Sequence, residues 1–399
     1  MGEAMPASRR LLFFIAALTF GVLSACGDDT GITVDPDEPC PEGTYREREG
    51  SSVCKEFTRC EPGQYQSVAP TPTNDRECAP LSPANCTPSQ VLAEDVPEDG
   101  SALRDRECCY LHPGEELSPT SGGWPDVSDR EESCMVIEGN LRIRNSIVEP
   151  PLEIAGVLGD LSVEGLRVER VDIFSSLRSV GGDVYIRENE SLKTLGDLRV
   201  LREIGGQLFI FGNPELEDLG GLEELRSIGG EARIEQNAAL KNLDGLRSLK
   251  SIGGRLQISS NAALEQLDGL SNLEEIGMSL DIFGNHALKH LDGLARIKEL
   301  KGLFIDGVYY AALYLDNNDA LASLAGLSNL EQLDGGLTIA HLDALPDLSG
   351  LNSLTSIAGT LHVQQNALLC DAEAIALGER TNAPILEIEN NGASNPACD

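Results

Sequence analysis

Histidine, cysteine and clustered carboxylates are the side chains of this 399-residue chain best able to do chemistry, and their spacing assembles no active site. The five histidines are His112, His286, His290, His341 and His362. His286 and His290 stand four apart, a spacing that brings two imidazoles to one metal only on a helix. Here they fall on a turn and a bend, and both are expected to be exposed loop residues. Asp316-Asn317-Asn318-Asp319 has the residue types that attract Ca²⁺ but not the spacing of a calcium loop. G-x-S-x-G, H-E-x-x-H and the P-loop are absent, and no cysteine–histidine pair carries an enzyme's local signature. The expectation is a chain with no catalytic residues, no metal and no cofactor.

The eleven cysteines divide by position. Cys26 follows a segment in which Arg9 and Arg10 precede an apolar run, Leu11 to Leu23, too short to span a bilayer comfortably. Residues 1–25 therefore read as a targeting peptide, and residues 26–39, polar and acidic, as a flexible tether. The other ten cysteines are an even number in an exported chain, which reads as an oxidised framework of up to five disulfides. Eight of them, Cys40, Cys54, Cys60, Cys78, Cys86, Cys108, Cys109 and Cys134, crowd the first third, while Cys370 and Cys398 stand near the end. Residues 40–133 read as loop-rich modules with little core, which need such staples. Two rough copies of one module recur, with C-x-P-[GS]-Q from Cys60 and Cys86 and D-R-E-C ending at Cys78 and Cys108. Zinc would want paired C-x-x-C knuckles, and there are none. Adjacent cysteines rarely bond each other, so either Cys108 or Cys109 is expected to reach Cys134, with Cys370–Cys398 pinning the C-terminal end.

Two resemblances attach to these residues. Leu23-Ser24-Ala25-Cys26 resembles the lipobox of bacterial lipoproteins, which implies cleavage before Cys26, a diacylglycerol on its thiol and stable membrane anchoring. Gly27, not Asp, follows it, and in that family this argues against retention on the inner membrane. The implied location is the bacterial cell envelope, at the outer membrane or cell surface; an ordinary secretory signal or an uncleaved anchor is the alternative. The run from Cys40 to Cys78 resembles the cysteine-rich modules of tumour-necrosis-factor-receptor type, without their tight cysteine pairs.

What must position the remaining side chains is a repeat. From Val180 to Glu299 five lines of twenty-four residues follow without a gap, among them IGGQLFIFGNPELEDLGGLEELRS and IGGEARIEQNAALKNLDGLRSLKS. Such self-similarity is the mark of a solenoid. Counting from the opening Ile or Val, position 3 is Gly (Gly182, Gly206, Gly230, Gly254, Gly335 and Gly359), expected to supply a positive φ at a sharp corner. Apolar residues at 5 and 7 predict a short strand with one face inward. Position 10 is Asn in Asn189, Asn213, Asn237, Asn261, Asn285, Asn318 and Asn366, expected to stack coil on coil and hydrogen-bond buried loop backbone. Leu at 13, 16, 19 and 22 is spaced too closely for an amphipathic helix, and Gly221 and Gly245 disfavour one further, so bends and brief strands are predicted there. Looser lines begin at Ile137 and Val157, an insertion occupies Leu300 to Val308, and the phase resumes at Tyr309. Leu342 stands where Asn is expected, and after Cys370 the pattern gives way to a polar tail.

The string CMVIEGNLRI, the S-I-G-G-x-L-x-I lines, the asparagine column and the disulfide-closed end together resemble the receptor L domain, over about Cys134 to Cys398. That family, found in the insulin and epidermal-growth-factor receptors, implies a mainly β fold, a right-handed parallel β-helix, here spanning 134–399 behind a disulfide-rich N-terminal module. A leucine-rich-repeat horseshoe is the rival. The spacing of four to the next apolar residue, the Gly pair between them, and the lack of a helix-like half favour the β-helix.

If positions 5 and 7 point inward, then 4, 6 and 8 point out. There stand Tyr185, Phe209, Phe211, Phe283 and Tyr314, with Arg187 and Arg233, in a chain with only 4% aromatics. Exposed aromatics rimmed by charge mark interaction surfaces. The formal charge of −35 disfavours nucleic acid and anionic lipid headgroups. The chain is thus expected to be lipid-anchored and non-catalytic, binding a protein or glycan through the sheet face. A passive envelope spacer or adhesin stalk is the alternative, and an exported hydrolase a distant third.

Overall fold

The computed structural model describes residues 134–144, 153–302, 310–392, 395 and 398 in full, and elsewhere the backbone of short strands alone. These fall in two compact units. In the first, Val53–Glu56 pairs antiparallel with both Ile32–Thr33 and Thr44–Tyr45, and Gln64–Val68 pairs antiparallel with Glu77–Pro80.

The second unit is mainly β and built of stacked coils. Its principal sheet has twelve strands in chain order, running from Glu116–Leu117 and Asn140–Arg144 through Leu161–Glu164 to Ile385–Glu389. Every pairing in it is parallel. The sheet thus begins upstream of Cys134, and Cys108–His112 likewise pairs parallel with Cys134–Ile137. A second side is made of two-residue strands at the line boundaries, such as Glu203–Ile204, Ser227–Ile228 and Ser251–Ile252. Where the lines are strict, Leu208, Ala232, Leu256 and Leu280 stand opposite one another, so one coil is one line. Parallel neighbours need a long connection, and the rest of each line supplies it.

The alternation at positions 5 and 7 appears as buried Leu208 and Ile210, or Leu280 and Ile282, with half-buried residues between. Leu240, Leu243, Leu246 and Leu249 are 0–1% exposed and join one continuous core with the strand residues. Each contributes roughly 1.5–3 kcal/mol of transfer free energy.

Three expectations about local structure change. The leucine-rich half forms single 3-10 turns, Asp244–Leu246, Asp268–Leu270, Asp292–Leu294, Ala325–Leu327 and Ser349–Leu351, rather than bends and strands. A leucine every third residue suits a helix of 3.0 residues per turn, and Leu246 N–H donates to Leu243 C=O at 2.8 Å. The position-3 glycines do not take positive φ. They are small because coils touch there: a Cβ on Gly206 would stand 2.2 Å from Asp183 Oδ1 and 2.7 Å from the Gly182 carbonyl carbon. The left-handed residue is at position 9, just before the asparagine, as in Glu188, Gln236, Ser260 and Gln365, with φ of 54° to 56°. Third, the segment after Cys370 is no polar tail. It folds as the helix Asp371–Thr381 and then as Ile385–Glu389, the last strand of the sheet. The Cys370–Cys398 disulfide, with Cα atoms 5.3 Å apart, closes this end.

Candidate functional site

The outward face of the long sheet is set by its register. One column reads Ser162, Tyr185, Phe209, Arg233, Gln257, Asp281, Tyr314 and Thr338; the next reads Glu164, Arg187, Phe211, Glu235, Ser259, Phe283 and Asp316. Neighbouring parallel strands present like positions side by side, so equal phase in the sequence becomes contact in space. Tyr185 and Phe209 stack with centroids 5.2 Å apart and planes 6° from parallel. The Arg187 guanidinium carbon lies 5.8 Å from the Tyr185 ring centre, and that of Arg233 lies 5.4 Å from Phe209. Phe211 is the strand neighbour of Arg187.

Phe283 and Tyr314 are not part of this group. They meet each other edge to face at 5.9 Å, and Phe211 and Phe283 are separated by two intervening strands. At ~4.8 Å per strand that is ~14 Å, too far for contact. The expected single aromatic row is therefore two clusters, and all of its members are half-buried. Between them Gln257 and Ser259 are 8% and 3% exposed.

Charge fills the interval. Glu231 accepts from Arg233 Nε at 2.7 Å and Arg255 Nε at 2.6 Å, and Arg255 Nη1 donates to Asp281 Oδ2 at 3.1 Å. Burial pushes Glu231 up, but the bonds from Arg233 and Arg255 outweigh it and hold its carboxyl below the usual range. At Asp281 burial wins over Arg255 and Ser279, and the carboxyl rises. Burial and the bond to Asp183 push the Tyr185 phenol up to about 12, so the group stays neutral. Glu164 takes a comparable position farther along, bonded to Arg144 and to Arg187 Nε.

The asparagine column is fully buried: Asn189, Asn213, Asn237, Asn261, Asn285, Asn318 and Asn366 are all 0% exposed. Asn237 Oδ1 accepts from the Asn213 backbone N–H at 3.1 Å, while Asn237 Nδ2 donates to the Ile210 carbonyl at 3.0 Å. The same pair of bonds recurs at Asn213, Asn261 and Asn285. Leu342 breaks the column, though its N–H still donates to Asn366 Oδ1 at 2.9 Å. Asn391 extends it, accepting from Asn366 N–H at 3.1 Å and donating to Val363 C=O at 3.0 Å. Sequence reasoning missed Asn391 because the helix displaces it from phase, yet Leu386-Glu387-Ile388-Glu389-Asn390-Asn391 repeats the L-x-I-x-x-N string. A second, shorter column was also missed. Asn140, Asp160 and Asp183 each accept the N–H of the corresponding residue one coil on, at 2.7–2.8 Å.

His286 lies 3.0 Å from Asp319, His341 2.8 Å from Asp316 and His362 3.3 Å from Glu387. His290 Nδ1 is 3.3 Å from Asp292 and 3.8 Å from Asp268, without hydrogen-bonding geometry to either. His286 and His341 pair with the neighbouring coil and His362 faces Glu387 on the adjacent strand, while His290, expected to be exposed, is half-buried; among the described residues no group of three or more such ligands could hold a metal ion. Cys134 is disulfide-bonded. The side chains of Cys26, Cys40, Cys54, Cys60, Cys78, Cys86, Cys108, Cys109 and His112 lie outside the described residues, as does the targeting segment, and of the tether only the backbone of Ile32–Thr33 is described. No helix among the described residues is long and apolar enough to cross a membrane. No protein-family model and no curated protein sequence matches this chain.

Proposed function

We propose that the chain is a lipid-anchored, non-catalytic binding protein of a bacterial envelope, in which a right-handed, receptor L-domain-like β-helix presents its long sheet to a protein or glycan partner. Cys26 carries the lipid, and the cysteine-rich segment forms a disulfide-stapled module between the anchor and the solenoid. One observation above all supports the sheet face: the coplanar Tyr185–Phe209 stack with Arg187 and Arg233 set against it. Leucine and isoleucine already fill the core, so these rings add nothing to interior packing. Aromatic and arginine side chains clustered on a rigid face are the usual carriers of binding energy.

The test is capture of partners from envelope extract by the wild-type chain and by Phe209→Ala, Phe211→Ala and Phe283→Ala. The two clusters are separate, so Phe209→Ala and Phe211→Ala should act together and Phe283→Ala independently. Unchanged capture in all three variants would remove the sheet face and leave the spacer reading. Incorporation of radioactive palmitate, abolished by Cys26→Ala, tests the anchor on its own.

A further inference from the structure

Strand neighbours Leu280 and Leu313 are 33 positions apart, where strict coils are 24 apart, and the line that resumes after this insertion borders a cleft of about 590 Å³. That volume falls within the roughly 300–1,000 Å³ of ordinary small-molecule sites. The floor is the paired-glycine corner of two coils, Gly229-Gly230 and Gly253-Gly254. It is bare backbone of necessity: a Cβ on Gly253 would stand 2.1 Å from the Gly229 carbonyl oxygen. Tyr310, 52% exposed just after the insertion, lines the cleft with Tyr314. The other lines of the repeat have no aromatic residue at their first three positions, so this aromatic wall is particular to the line that follows the insertion.

The polar side of the cleft is Glu231, Arg255 and Asp281. With Arg233, which bonds Glu231, two carboxylates face two guanidinium groups. Arg233 lies outside the cleft, but each carboxylate is already bonded to a guanidinium, so an ionic ligand would have to displace an existing ion pair. An apolar ligand would strip water from these groups and return no hydrogen bond, which is costly. A neutral polyhydroxylated ring satisfies both sides. Its hydroxyls can donate to carboxylate oxygens and accept from a guanidinium, which has five N–H donors in all. Its C–H face can lie against a phenol ring above the glycine corners and Met278.

We infer that this cleft is a glycan site for a short neutral oligosaccharide, one ring resting on Tyr310 and its hydroxyls shared among Glu231, Arg255 and Asp281. The site stands on the shoulder of the solenoid and does not depend on the sheet-face reading, though it shares Tyr314 and Asp281 with that face and Arg233 bonds Glu231 from it.

The experiment applies the full-length chain, in detergent, to an array of neutral hexose and N-acetylhexosamine oligosaccharides, with sialylated glycans and spermidine alongside. The wild type should retain at least one neutral oligosaccharide, Tyr310→Phe should keep that binding, and Tyr310→Ala should weaken it roughly tenfold or more. Phe209→Ala should leave it unchanged. Tyr310 is exposed, so its variants should share the wild-type urea midpoint, and Tyr310→Phe preserves the ring should the alanine variant misfold. Retention of no neutral oligosaccharide at millimolar concentration, or preference for the sialylated glycans or spermidine, would overturn the inference. Binding lost in Phe209→Ala but kept in Tyr310→Ala would also overturn it, while supporting the sheet face.

Discussion

Replacing Asn237 by alanine tests whether the asparagine column holds the coils together. The side chain is 0% exposed. Its loss deprives the Asn213 N–H of a 3.1 Å acceptor and the Ile210 carbonyl of a 3.0 Å donor. The Asn213 side-chain amide keeps its bonds to the Ile186 and Phe211 carbonyls. The Asn213 N–H is thus stranded, while the Ile210 carbonyl keeps its partner in the sheet ladder, giving a loss of about 1–3 kcal/mol. With a urea slope of ~1–3 kcal/mol/M, the midpoint should fall by roughly 0.3–3 M, about 1 M at the centre of both ranges. Asn272→Ala is the control: its amide also bonds a carbonyl, that of Arg247 at 2.7 Å, but in the open, where water takes over. That change should stay within ~0.5 kcal/mol. Asn237→Asp should be worse than alanine at neutral pH, since a carboxylate cannot donate to Ile210 and would be ionised in the core. Urea titrations of the full-length chain followed by circular dichroism decide it. Equal midpoints for Asn237→Ala and Asn272→Ala would refute the claim that buried backbone depends on the column.

Gly269→Ala should cost ~1–3 kcal/mol or more through overpacking, because its Cβ would stand 1.9 Å from the Leu243 carbonyl oxygen. Gly156→Ala, with nothing nearer than 3.7 Å, should be close to neutral in the same thermal melts. Gln236→Gly should raise the melting temperature, since relief of ~1–2 kcal/mol of left-handed strain at φ 54° exceeds the ~0.5–1 kcal/mol entropic cost of glycine. Glu231 is held below its ordinary range, so its contribution to stability is present above the unfolded value and lost as pH falls through the folded one. Glu231→Gln should therefore be destabilised at neutral pH and converge on the wild type in acid, as read from urea midpoints across pH. Asp281, raised by burial, has the opposite sign: its penalty grows as pH rises through the ordinary carboxylate range, so Asp281→Asn should gain stability at neutral pH only. Removing the Cys370–Cys398 bond, whose partners are 28 apart in sequence, should lower stability by about 3–4 kcal/mol. Hydrogen exchange should then rise first in Asp371–Thr381.

From the sequence alone follow the coil length, the inward residues and the buried asparagines. Each coil packs only on its neighbours, so a constant offset along the chain is a constant offset in space. Leu208, Ala232, Leu256 and Leu280 are legible as one column for that reason. Tertiary structure decided whatever depends on distance across coils or on a break in the period. The glycines of Gly206 and Gly269 are there for the neighbouring backbone, which no local turn rule reveals. Asn391 stands 25 residues after Asn366, not 24, because a helix replaces the leucine-rich half of that coil, and a strict count along the chain lands on Asn390 instead. Tyr185, Phe209, Phe211, Phe283 and Tyr314 share a face by alternation, but only the order of strands separates them into two clusters. The cleft beside Tyr310 exists only in three dimensions, where the line starting at Tyr309 shares a cleft with glycine corners two and three coils earlier.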